Sequence, residues 1–157
     1  MKPTVLLFNF NDKTRSTKTT AALLPLGLKL VKIKKEDYLQ PLGYLAGKED
    51  IARVDAIYEG EELSDEMMVL VNLSSKQIDQ LILGLKKTGV GKIKYKAVLT
   101  ATNQHWITRE LFDELCEEHD MLADYTAKKI KESMHEKQKK EAEQLSTEKI
   151  EEDKANE

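Results

Sequence analysis

Residues 67–89 read MMVLVNLSSKQIDQLILGLKKTG. The first seven form an apolar run of strand length, which suits a strand buried on both faces. Ser74 then supplies a helix N-cap and Gln77 completes a capping box, while Leu73 and Ile78 stand where a hydrophobic staple needs them. Ile78, Leu81, Ile82 and Leu85 recur at helical spacing, and Gly89 ends the helix. Residues 93–99, IKYKAVL, alternate as a second strand. The stretch therefore reads as one β-α-β unit.

Working back from it, the start of the chain repeats the pattern. Residues 4–10, TVLLFNF, are a second continuous apolar run. A polar turn follows, then a helix over 16–26 carrying Ala21, Leu24 and Leu26. Pro25 lacks a backbone donor and ends or distorts that helix, and Gly27 caps it. Residues 28–33 are the next strand. LFNF at 7–10 matches LVNL at 70–73, and Gly27 matches Gly89. The first and third strands are apolar throughout, as central strands are. The second and fourth carry Lys29, Lys32, Lys34 and Lys92, Lys94, Lys96, and lysines on an edge strand discourage pairing with other chains. The expected fold is an α/β (α+β) domain over 1–123, made of two β-α-β halves (1–63 and 64–123). These form a four-stranded ferredoxin-like sheet with the first and third strands in the middle. A parallel doubly wound sheet is the alternative. The link over 34–64, with a short helix expected near Pro41, is long for the ferredoxin-like arrangement. Because both faces of the central strands are apolar, the face opposite the two helices needs a cover. The link, the last helix or a second copy of the chain can supply it.

The last helix starts near Thr108, read as its N-cap, with Ile107 and Phe112 as the staple. Leu111, Phe112, Leu115 and Leu122 give its buried side. From 124 onward charge dominates, and the tail is expected to be a solvated helix or disordered. Of the 157 residues, 34% are charged and the net charge is −3, so no global field draws the chain to nucleic acid or acidic membranes. No apolar run approaches a membrane span, and the short N-terminal run is broken too early by Asn9, Asn11 and Asp12 for a signal segment. One cysteine, Cys116, leaves no internal disulfide framework. These features read as a cytoplasmic protein.

The densest set of hydrogen-bonding side chains is Thr100, Thr102, Asn103, Gln104, His105 and Trp106, directly after the fourth strand. They are expected to form either a small ligand-binding loop or a structural turn in which Asn and Thr side chains satisfy local backbone groups. Asn72, at the end of the third strand, is expected beside them, because a helix crossover makes the third and fourth strands parallel. With the first strand reversed, Asn9 and Asn11 fall at the far end. His105 with a threonine hydroxyl is a weak nucleophile–base pair without a third orienting group. Cys116 and His119 share a helix face, but structural zinc usually takes four ligands and no second cluster accompanies them. Tyr95 alternates with the lysines of its strand, so aromatics and cations are not on one nucleic-acid-binding face. No phosphate-binding or dinucleotide glycine motif is present.

KAVLTATN at 96–103, followed by Trp106 and LFDEL at 111–115, resembles the bacterial domain-of-unknown-function family 3783. Its pattern is similar to Lys-Ala-Val-Leu-Thr-Pro-Thr-Asn, then Trp and a helix. The resemblance spans roughly 67–119 and departs at Ala101, where the pattern has proline. It implies no activity, but it draws attention to Ala97 and Asn103. The functional expectation is a non-catalytic binding or regulatory module, using Thr100, Thr102, Asn103, His105, Trp106 and Asn72. The alternative is a small enzyme using His105 and a threonine hydroxyl. No cofactor or metal is expected; the expected partner is a protein or small ligand, or a second copy.

Overall fold

The computed structural model describes the backbone of residues 1–155 and the side chains of 1–146. Strands β1 (Thr4–Phe8), β2 (Lys29–Ile33), β3 (Met67–Val71) and β4 (Tyr95–Val98) form one sheet in the order β2-β1-β3-β4. The apolar runs are the central strands, and every residue of β1 and β3 is buried. The lysine-bearing strands are the edges.

Each half is a parallel β-α-β unit of neighbouring strands, closed by helix α1 (Lys13–Leu23) in the first and α3 (Ser75–Lys87) in the second. The halves meet where β1 runs antiparallel to β3, Thr4 opposite Val71 and Phe8 opposite Met67. The sheet is therefore mixed, and neither the ferredoxin-like order nor the wholly parallel alternative is found. In the ferredoxin-like order each edge strand lies beside the other half's central strand, and the second and third strands form a hairpin. Here residues 34–66 are too long for a hairpin. They leave the β2 edge, cross a face of the sheet and enter β3 beside β1.

That link is the missing cover. Val5, Leu7, Met68 and Leu70 point to the layer of α1 and α3, packing with Leu23, Leu81 and Leu85. Leu6, Phe8, Met67, Val69 and Val71 point the other way, onto Tyr38, Leu42 and Leu63 from the link and Leu111 and Phe112 from the last helix. Both faces of the central strands are thus covered from within the chain. The link has little regular structure beyond the short helix α2 (Leu42–Leu45), so side chains do the work of a ladder. Gln40, fully buried, donates to the Val54 carbonyl at 2.7 Å and accepts from the Val54 N–H at 2.7 Å.

Local signals in the sequence account for the helix ends. Ser74 and Gln77 form the expected capping box. α1 starts earlier than periodicity indicates, because Asp12 caps it by accepting from the Arg15 N–H at 2.9 Å. Pro25 sits in a 3-10 turn, Leu24–Leu26, and Gly27 follows at φ 73°. α4 (Thr108–Ala155) begins at Thr108 itself. The expected capping bond is absent: the Thr108 hydroxyl is buried without a partner, because the residue is packed under the link and gives its N–H to the Tyr38 carbonyl at 3.3 Å.

Two units divide the chain. Met1–Cys116 holds the sheet and both of its covering layers. The unit from Glu117 onward is helical, and its described side chains from 121 to 146 are all exposed. None of the described helices is long and apolar enough to cross a membrane.

Candidate functional site

The loop after β4 is built by one side chain. Asn103 Oδ1 accepts the Thr100 N–H at 2.7 Å, and its Nδ2 donates to the Val98 carbonyl at 3.0 Å. The Asn103 N–H in turn donates to the Thr100 hydroxyl at 3.1 Å. Asn103 is buried inside the turn it organises, at 8% exposure. A 3-10 turn, Asn103–His105, follows, and the Trp106 N–H closes it onto the Asn103 carbonyl at 3.0 Å.

The link holds this turn from outside. Leu42 N–H donates to the Trp106 carbonyl at 2.9 Å, and Lys48 Nζ donates to Gln104 Oε1. Gly43 makes the close approach feasible, since a Cβ there would collide with the Ile51 side chain and stand 3.1 Å from the Gln104 carbonyl oxygen. Trp106 packs its partly buried ring against the cover-side core. Thr100, Thr102 and His105 are left exposed. The His105 ring meets the Gln104 amide at 3.3 Å, and among the described residues no hydrogen bond joins it to a threonine hydroxyl.

Asn72 lies at the β4-loop end of the sheet, since β3 and β4 are parallel. Its side chain is committed elsewhere. Asn72 takes the left-handed conformation at φ 59° and donates to the Met1 carbonyl. Asn9, its counterpart at φ 60°, donates to the Leu63 carbonyl at 2.9 Å. As the strand directions require, Asn9 and Asn11 sit at the opposite end. Cys116 is a partly buried free thiol against the cover-side core, and among the described residues no three His, Cys, Asp or Glu side chains gather to hold a metal.

Two features escape sequence reasoning. At the Asn9 end, the buried Tyr38 hydroxyl donates to Glu62 Oε1, which also accepts the Leu63 N–H at 2.9 Å; Asn11 reaches Glu62 Oε2 at 3.2 Å. Burial, then the bond to Glu62 and its charge, pushes the Tyr38 phenol far above its ordinary value. The second is a cleft of about 400 Å³ between α3 and the free edge of β4, lined by Ile82, Leu85, Lys86, Lys92, Ile93 and Lys96. The alternation of β4 put Lys96 on the face opposite Tyr95, but nothing in it marked a cavity.

With β3, α3, β4, the wired turn and the start of α4 in view, the matching family can be placed on the structure. Residues 66–122 match the family described as Domain of unknown function (DUF3783). The match covers the second β-α-β half and the loop that follows it, in line with the resemblance over 67–119. In that segment Asn103 is the turn's organiser, and Ala97 faces the cover-side core. No curated protein and no solved structure matches the chain.

Proposed function

We propose that the protein is a cytoplasmic, non-catalytic binding or regulatory module that recognises a protein or small ligand through Thr100, Thr102 and His105. The observation that carries this reading is the locking of their loop by Asn103 from within. A loop held by three hydrogen bonds and pinned to the link presents its exposed side chains with little conformational entropy left to lose on binding. Asn72, Asn103 and Trp106 belong to the frame. The catalytic alternative draws no support from the hydrogen-bonding of His105, whose partner is an amide.

A thermal-shift screen on the full chain tests the reading, since a ligand that binds only the folded state raises its stability. Compounds that raise Tm should lose that effect in a Thr102→Ala/His105→Ala variant whose own Tm is unchanged. Ligands that stabilise both proteins equally would overturn the site. Turnover of any ligand that disappears with His105→Ala alone would favour the enzyme.

A further inference from the structure

The cleft beside β4 is unlike the rest of the sheet edge. Leu85 and Ile93 form a buried apolar floor, and Ile82 stands at the rim with 46% of its surface exposed. Around this floor are three cations, Lys86, Lys92 and Lys96. Among the described residues none of the three forms an ion pair.

The internal repeat isolates Lys96. β1 and β3 pair so that Leu6 faces Val69, the residue that takes its place in the second half. Matching the halves in this register aligns Val5 with Met68, and the neighbours they pair with are Leu30 and Lys96. Leu30 packs against the helix-side core. Lys96 occupies the same place in the second half, so an ammonium stands where the fold accepts a leucine. It is partly buried, with burial and then the nearby Lys92 charge lowering its pKa. A desolvated cation with a cationic neighbour and no carboxylate is a cost to folding. A ligand that supplies the missing anion would offset it. The cleft falls within the size range of small-molecule sites, which are apolar with few polar groups.

We propose that this cleft binds a small amphipathic carboxylate, its hydrocarbon part on Ile82, Leu85 and Ile93 and its carboxylate among Lys86, Lys92 and Lys96. The site is separate from the loop after β4 and does not depend on the reading of that loop. An apolar pocket ringed by unpaired cations selects against neutral and cationic ligands of the same shape, because only an anion relieves the repulsion between the lysines.

Octanoate is a suitable probe, with octanol and octylamine as its neutral and cationic counterparts, titrated into the full chain and followed by amide chemical shifts. Octanoate should bind saturably, with shifts concentrated over residues 82–96. Lys96→Met should weaken it by about ten- to a hundredfold, the size expected for losing a hydrogen bond to a charged group. Lys96→Arg should largely restore binding. The fold gives an independent readout, because Lys96→Met places an apolar side chain where the first half has Leu30, and its Tm should equal or exceed the parent's. Equal binding of octanol, unaltered octanoate binding in Lys96→Met, or shifts confined to the loop after β4 would each overturn the proposal. So would binding only of an extended acidic peptide along the β4 edge.

Discussion

Asn103 shows how one side chain can decide a loop. Removing it leaves the Thr100 N–H and the Val98 carbonyl without their partner in a partly buried turn, which costs about 1–3 kcal/mol. Asn103→Ala should therefore lower the midpoint of urea unfolding, with faster amide exchange confined to residues 98–106. An unchanged midpoint would show that the turn is held from the link alone. Tyr38 makes a prediction about pH. Its folded phenol titrates far above the ordinary 10.0, so below that value both folded and unfolded chains keep the proton and Tyr38 adds no pH dependence. Above about pH 10 the unfolded phenol ionises while the buried one does not, and stability falls as pH rises. Unfolding measured across pH 9–11 should show a shallower alkaline decline for Tyr38→Phe than for the parent. Parallel curves would mean that the phenol is not held protonated. The sequence named Asn103 as either a turn residue or a contact, because its partners are three and five residues away. It could not name Tyr38 and Glu62 as a pair, since they join across a link with no periodicity.

Among the elements, all four strands were legible from apolar runs, lysines and caps, and so was the assignment of centre and edge. Strand order was not. Periodicity specifies which face a strand buries but not its neighbour in the sheet, and the neighbour was decided by residues 34–66. Their role rests on single contacts such as the Gln40 amide on Val54 and the bare Cα of Gly43 against Gln104. A methyl group at Gly43 displaces the tip of the Ile51 side chain and presses on the Gln104 carbonyl oxygen at 3.1 Å. Gly43→Ala should lower Tm even though alanine favours a helix over glycine by about 1 kcal/mol. The emission of Trp106, the one tryptophan in the sequence, should shift with it as the Leu42 bond to its carbonyl loosens. A higher Tm with unchanged emission would show that Ile51 and the turn yield without cost.

For the molecule as a whole, stability should reside in Met1–Cys116. The described side chains from 121 to 146 are all exposed, and at about 100° per residue Met121 and Tyr125 fall on a different side of α4 from Ile130 and Met134. Such a helix has no single apolar stripe to hold it against a partner. Limited proteolysis should cut first beyond Lys128 and leave a product whose thermal transition overlays that of the intact chain; a broadened transition would show that the tail supports the core. The antiparallel seam between β1 and β3 has a consequence of its own. Asn9 grips Leu63 on the segment leading into β3, and Asn72 grips Met1 on the segment leading into β1, so the seam is tied at both ends by reciprocal knots. Severing the chain near residue 63 would leave each fragment with a fully apolar strand as its raw border, a template for aggregation when alone. Mixed together, the fragments should heal along that border into a stoichiometric complex. By the same logic, a protein built from the 66–122 segment without a first half must borrow a strand for β3, and the nearest donor of matching shape is its own twin.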